Sequence, residues 1–262
     1  MTIRCSPRRG GDGSVLPEPS LRHHDVMSPP PPPPASPLAE TAALFADRTR
    51  AAFCQALLDG RAWTAGELAR HAGVRPSTAS EQLSRLVAGG VLAEERQGRH
   101  RYVRLSGPEA AALVESLASW GSGTPPPPPR TLRESTRLGA EARARTCYDH
   151  LAGALGVTLA DAMTARGLVT AGPDLAVTPA GRAWLADALG FEQPPGARRP
   201  LVRGCLDWTE RRLHLAGSLG AALCATSLER RWVRRVGSGR AVAVTPAGAE
   251  AFRTRLGVDV QV

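Results

Sequence analysis

Nothing constrains this chain more than a repeat inside its second half. HLAGALGVTLADAMTARGLV at 150–169 aligns with HLAGSLGAALCATSLERRWV at 214–233, with nine of twenty positions identical. Each copy leads to the same pentapeptide, VTPAG, at 177–181 and 244–248, and then to a Leu-Gly pair, Leu189-Gly190 and Leu256-Gly257. The gap before VTPAG is three residues longer in the second copy, as a hairpin loop would allow. Thr178 and Thr245 fit as helix N-caps, with Pro179 and Pro246 at the first helical position. Each copy therefore reads as helix, short hairpin, helix, the order found at the core of a winged helix.

Proline divides the rest. Eleven of the 23 prolines lie in two runs, Pro29 to Pro34 and Pro125 to Pro129. Such runs favour stiff, extended polyproline geometry. Residues 1–36 are rich in Gly, Pro and Ser and poor in apolar side chains, which predicts a disordered tail. The remaining segments are 37–120, a linker at 121–135, and a C-terminal domain at 136–262 with repeats at about 141–190 and 205–257. The expected fold class is mainly α with small β-hairpins (α+β).

Residues 38–58 show helical periodicity, with Asp47 as a cap between two short helices. Thr64-Ala65-Gly66-Glu67 has the form of a capping box. The helix that it opens stops at Gly73, where glycine permits a left-handed turn. Pro76 opens a second helix, PSTASEQLSRLVAGG, with Ala79, Leu83 and Leu86 inward. This is a helix-turn-helix pattern. Its second helix presents Ser77, Thr78, Ser80, Gln82 and Arg85, side chains able to meet base edges or phosphates. In the following segment, 91–106, Gln97-Gly98 is a turn between two extended runs. The tip carries Arg96, Arg99, His100 and Arg101, as a phosphate-gripping wing requires. An amphipathic helix with Ala110, Leu113, Val114, Leu117 and Trp120 on its apolar side closes the unit.

The net charge is +9, from 33 cations against 24 acids, and every cation is an arginine. An anionic partner fits this balance, and so does the codon bias of a lysine-free chain. No run of 18 apolar residues exists, and the first residues lack the apolar stretch of a secretion signal, so the expectation is a cytoplasmic protein without membrane contact. Five scattered cysteines do not form a disulfide framework. No glycine-rich phosphate loop, HExxH or GxSxG is present, so the sequence does not read as an enzyme.

ALFADRTRAAFCQALLDG followed by ELARHAGVRPSTASEQLSRLVAGGVLAEERQGRHRYVRL resembles the arsenic-repressor (ArsR) family of winged-helix regulators. The resemblance runs almost continuously over 37–120. The phrases CYDHLAG and CLDWTERR further resemble long members that carry a C-terminal domain. It implies a homodimer, joined through the first and last helices of the unit, on a two-fold symmetric double-stranded operator. Gln82 stands where many relatives have His. Metal-sensing members carry paired cysteines on the helix that here reads ELARHAG, or Asp and His on the one that here reads PEAAALVESLASW. Neither set is present, so metal sensing does not follow from the resemblance.

The C-terminal domain offers its own candidates. Cys147 and His150 are three residues apart, which on a helix puts them on one face. Cys205 precedes His214. The two histidines align between the repeats and the two cysteines do not. If the repeats pack with pseudo-two-fold symmetry, Cys147, His150, Cys205 and His214 approach each other, and zinc or another soft metal suits that donor set. The alternative is small buried core cysteines, with histidines satisfying helix ends. Trp208, Tyr148 and Trp184 are the aromatics that a small-molecule effector would use. No cofactor is required by the sequence. The expected function is a sequence-specific DNA-binding repressor with a sensing or dimer-supporting C-terminal domain. The alternatives are a winged-helix interaction module without DNA readout, and a metal or redox thiol sensor.

Overall fold

The computed structural model describes residues 36–98, 100–120, 131–172, 174–237 and 239–261. The expected tail (all but its last residue), the first ten residues of the expected linker, and Arg99 lie outside this set. Residues 37–262 form one compact unit.

Its N-terminal part runs α1 (Pro37–Phe45), α2 (Arg48–Leu57), β1 (Trp63–Thr64), α3 (Ala65–Ala72), α4 (Pro76–Ala88), β2 (Leu92–Gln97), β3 (His100–Leu105) and α5 (Pro108–Trp120). The local chemistry is the one expected. The Asp47 carboxylate accepts from the Arg50 N–H, Thr64 and Glu67 close a reciprocal capping box, Gly73 ends α3 in the left-handed region, and Pro76 opens α4. The three strands form one antiparallel sheet in the order β1-β3-β2, with Val103 opposite Trp63 on one side and Glu94 on the other. Phe53, Leu57, Leu68, Leu83, Leu86, Val103 and Leu105 make the core. This is a winged helix-turn-helix.

The final helix departs from expectation. Ala111, Val114 and Glu115 form its buried face, whereas Leu113 and Leu117 are exposed and Trp120 is 93% exposed. The apolar stripe read from the sequence thus lies mainly outside the core of this chain.

Helix α6 (Leu132–Arg143) starts inside the expected linker, capped by Thr131. Then follow β4 (Arg145–Cys147), β5 (His150–Ala152), α7 (Gly153–Ala165), α8 (Pro179–Trp184) with a π-helical turn (Leu185–Leu189), β6 (Arg203–Leu206), β7 (Leu213–Ala216), α9 (Gly217–Glu229), β8 (Val233–Arg235), β9 (Val242–Val244) and α10 (Pro246–Leu256). The helix–hairpin–helix order appears in full as α9, β8–β9, α10; in the first copy the hairpin shrinks to one bridge, Val169 to Val177. Each copy also begins with a hairpin, β4–β5 or β6–β7, that the sequence pattern does not reveal.

The repeated phrases now have physical meanings. In HLAG, the Ala is fully buried and the Gly turns the chain from strand into helix at positive φ (Gly153 +76°, Gly217 +82°). In VTPAG, the Thr hydroxyl accepts from the Gly N–H three residues on, at 3.0 Å in both copies, and donates back to a carbonyl of the preceding turn. The repeats share one core that includes Leu155, Leu159, Met163, Leu219, Leu223, Trp232 and Phe252. No helix among the described residues is long and apolar enough to cross a membrane.

Candidate nucleic-acid interface and candidate metal centre

On α4, Ser77, Ser80 and Arg85 are exposed and Thr78 is half-buried. Arg85 pairs with Glu81 one turn earlier at 2.7 Å. Gln82 is less free than expected. Its carbonyl oxygen accepts from Arg50 at 2.5 Å, and Arg50 also donates to the carbonyls of Ala43 and Leu44, both at 2.7 Å. This buried arginine, unremarked in the sequence, ties the end of α1 to the second helix of the helix-turn-helix and leaves only the Gln82 amide group as an outward donor. In the wing, Arg96 faces Arg101 across the hairpin and Gln97 faces His100. Both arginines share Glu94, at 3.1 and 2.7 Å. Like charges on paired positions repel, so Glu94 holds the two cations together on one strip. His100 is exposed.

The four cysteine and histidine candidates meet. β4–β5 sets Cys147 opposite His150, and β6–β7 sets Cys205 opposite His214. The expected shared helix face is thus corrected to a cross-strand pair. The hairpin tips differ, Tyr148-Asp149 in one and residues 207–212 in the other, so cysteines that do not align along the chain are equivalent in space. The helices swap partners: α9 packs on β5 and α7 on β7. Glycines permit that approach. A Cβ at Gly156 would lie 2.5 Å from the Leu151 oxygen and 3.4 Å from the His214 Cβ; one at Gly220 would overlap the Leu215 carbonyl and lie 3.0 Å from the His150 Cβ.

All four side chains are buried, and their ligand atoms lie within 4.8 Å of one another. The two Nε2 atoms are 3.1 Å apart. Each Nδ1 faces a carboxylate: Asp149 at 3.4 Å for His150 and Asp207 at 3.3 Å for His214. At His150 the Nδ1 contact with Asp149 leaves Nε2 turned toward the Nε2 of His214, whereas the His214 Nδ1, though 3.3 Å from Asp207, has no aligned hydrogen-bond partner among the described residues. Burial disfavours a charged His150, but Asp149, Cys147 and Glu115 outweigh it and push its pKa up to about 9. The adjacent Cys205 thiol and burial push the Cys147 thiol up to about 12.

The carboxylates are themselves held. Asp149 takes both Arg199 amino groups at 2.6 and 3.0 Å. Burial opposes its charge, yet His150 and Arg199 bring its pKa down to about 2. Asp207 accepts from Arg145 at 2.9 Å, from the Gly153 N–H at 2.7 Å and from the Thr209 hydroxyl at 2.6 Å. Trp208 stacks under the Arg145 guanidinium, 4.9 Å from carbon to ring centre.

One further residue belongs here that the sequence did not single out. Glu115 of α5 is 3% exposed. Its carboxylate accepts from Cys147 at 3.2 Å, Cys205 at 3.5 Å and Arg203 at 2.8 Å, and lies 3.8 Å from the His150 Nε2. It lies four residues after Ala111 on the buried side of the helix, a side that the apolar stripe read from the sequence, Ala110, Leu113, Val114, Leu117 and Trp120, did not mark.

Other candidates disperse. Tyr148 packs against the N-terminal core, Trp208 lies under Arg145, and Trp184 donates to the Arg255 carbonyl at 3.4 Å, so the three aromatics do not build one pocket. Cys54 and Cys224 are core residues. Among the arginines of the C-terminal half, Arg199 and Arg212 hold Asp149 and Asp161, and Arg230 holds the Ala188 carbonyl.

Residues 45–95 match the family model described as a helix-turn-helix domain. Over 225 residues, 85% of this chain and 98% of the relative, the sequence is 37% identical to a protein described as the uncharacterized HTH-type transcriptional regulator YdfF of Bacillus subtilis (strain 168). Among solved structures, the homodimeric winged helix-turn-helix DNA-binding domain of Mb0332 from Mycobacterium bovis, a possible ArsR-family regulator, covers 34% of this chain and 82% of its own at 24% identity, with a TM-score of 0.32. The cadmium sensor CMTR of Mycobacterium tuberculosis covers 35% of this chain and 96% of its own at 29% identity, with a TM-score of 0.27.

Proposed function

This chain belongs to the HTH-type transcriptional regulators and is a DNA-binding regulator of transcription; from that premise we propose that it works in the cytoplasm as a homodimeric repressor with an effector site in its C-terminal half. The observation that carries the reading is the pairing of an exposed polar face on α4 with a basic wing beside it. Ser77, Thr78, Ser80, Arg85 and the Gln82 amide enter the major groove and read base edges. Arg96, Arg101 and His100, with Arg99 between them in sequence, grip the backbone. The exposed stripe of Leu113, Leu117 and Trp120 on α5 meets its two-fold mate, so that two reading helices face two half-sites.

The test is fluorescence anisotropy on DNA from the protein's own upstream region, against a scrambled duplex, at several salt concentrations. Selective binding with a steep salt slope is expected. Arg96→Ala with Arg101→Ala should weaken both duplexes alike and lower the slope by about 2, roughly one for each phosphate that is no longer neutralised. Unchanged binding by that variant would remove the wing from the interface, and equal, weak binding of the wild type to both duplexes would favour a winged-helix module that does not read DNA.

A specific observation favours a metal as effector over an organic molecule. Two thiols and two imidazoles converge within 4.8 Å, with each Nδ1 facing a carboxylate. A tetrahedral zinc with bonds of about 2.3 Å to sulfur and about 2.0–2.1 Å to nitrogen needs donor–donor edges of roughly 3.3–3.8 Å. The two Nε2 atoms, at 3.1 Å, already lie near that edge, and the widest separation, within 4.8 Å, has to shorten by roughly 1 Å. Cys147, His150, Cys205 and His214 would hold the ion, which would supply charge to stabilise two thiolates and bind the repeats together. Asp149 orients the His150 ring, and Asp207 flanks the Nδ1 of His214 at 3.3 Å. Cobalt(II) titration of the reduced protein should give one ion per chain, with a sulfur-to-metal absorption band that disappears in Cys147→Ser and in Cys205→Ser. A wild-type protein that takes up no cobalt would overturn this reading and leave the DNA-binding one intact.

A further inference from the structure

Glu115 stands apart from everything else at the cluster, because it comes from the DNA-binding half. Its helix, α5, carries the exposed apolar stripe on one face and this carboxylate on the opposite one. Both cysteine sulfurs donate to it, one to each oxygen, and Arg203 donates to the second oxygen. Close by, Ser119 of the same helix donates to the Leu206 carbonyl at 3.4 Å, and the strained turn residue Tyr148 (φ +55°) donates its N–H to the Leu58 carbonyl at 2.6 Å. The two hairpins are thus bonded directly to the elements that set the winged helix.

We propose that Glu115 is the positioning residue that reports the state of the cysteine–histidine cluster to the DNA-reading half. The proposal rests on the metal reading above. In the thiol form, two S–H donors and Arg203 hold the carboxylate, and α5 is drawn onto the hairpins. Coordination changes both donors at once. Each sulfur gives its lone pair to the ion and its S–H proton leaves to solvent, as does the proton of a charged His150, whose ring must be neutral to coordinate. Glu115 then faces two electron-rich sulfurs where it faced two donors, and Arg203 alone remains on it. A buried acceptor that loses its donors no longer favours that position, so α5 shifts and takes its apolar stripe with it. Ion binding therefore weakens operator binding. Two sites, one moving element and differential contacts in the two states satisfy what a coupling mechanism requires.

The experiment uses the full-length reduced protein, stripped of metal, with zinc as the effector in anisotropy and cobalt as the spectroscopic probe. Wild type is expected to take one ion per chain and to lose operator affinity by roughly tenfold on zinc addition, within the usual range of coupling. Glu115→Gln keeps the shape and removes the charge. It is expected to bind cobalt with the same stoichiometry and to show a zinc effect below about twofold. A shortened acid, Glu115→Asp, gives the same separation if the Gln variant folds poorly. Full zinc dependence in either folded variant would overturn the role of Glu115 while leaving the metal site standing. A wild type without cobalt uptake overturns the metal reading and this proposal with it. A merely structural role for Glu115 would lower stability but leave the zinc effect intact.

Discussion

Replacing Asp207 with Asn tests the reading that this carboxylate clamps the two repeats together. The side chain is fully buried, and so is its partner Arg145. Its Oδ1 takes Arg145 at 2.9 Å, the Thr209 hydroxyl at 2.6 Å and the Thr209 and Glu210 N–H groups at 3.0 and 3.2 Å; its Oδ2 takes the Gly153 N–H at 2.7 Å. Thus one hairpin tip of the second repeat fastens both the first strand and the first helix of the other. Asn preserves volume and one acceptor oxygen, but its NH2 meets a donor, and the Arg145 charge loses its counter-ion. An orphaned buried charge costs about 3–5 kcal/mol, and the retained hydrogen bonds place this variant near about 3. With a urea slope of about 2–3 kcal/mol/M, the midpoint should fall by about 1–1.5 M. Trp208 stacks on Arg145, so its fluorescence reports the transition locally. Burial would by itself raise the Asp207 pKa, but His214, Arg145 and Thr209 hold the carboxyl well below the usual range. A depressed folded pKa contributes stability above the unfolded value and loses it as pH falls through the folded one. The gap between wild type and variant should therefore hold across neutral pH and begin to narrow only below about 4. A midpoint shift under about 0.3 M at pH 7, corresponding to less than about 1 kcal/mol, would refute the clamp.

Arg50→Met should lower the stability of the winged-helix part by about 2–3 kcal/mol, since three acceptors lose a charged donor, and hydrogen exchange should quicken in α1. Leu117→Glu with Trp120→Ser should give a monomer in size-exclusion chromatography with light scattering; a dimer with unchanged mass would exclude α5 as the dimer helix. His150 has a folded pKa pushed up to about 9 from 6.5. Metal-free protein should therefore hold that contribution fully below pH 6.5 and lose it as pH rises through 9. His150→Gln should flatten the trend in thermal melts.

The winged helix was legible because its signals are local. Capping box, left-handed glycine, N1 proline and Gly-tipped turn each act within four or five residues. The C-terminal hairpins were not, because strands of three or four residues carry no measurable alternation. That gap turned the Cys147–His150 spacing into a false helix face. Strand register cannot be read from residue counts when one tip has two residues and the other six. Glu115 and Arg50 escaped for a different reason. A charge on an amphipathic helix reads as solvated unless its partners are known, and those of Glu115 lie 32 and 90 residues away.

Because Glu115 sits on α5, the working boundary of this protein does not coincide with its proline run. A fragment ending near residue 120 would carry a carboxylate on its surface where the intact chain buries one, and the complementary fragment would leave Arg203 and both thiols without their acceptor. Exchange of sensing modules between relatives should then succeed only when α5 travels with the C-terminal half. In evolutionary terms, the proposed role of Glu115 makes the heritable module of regulation a helix plus two hairpins, shared across what the primary structure presents as two domains.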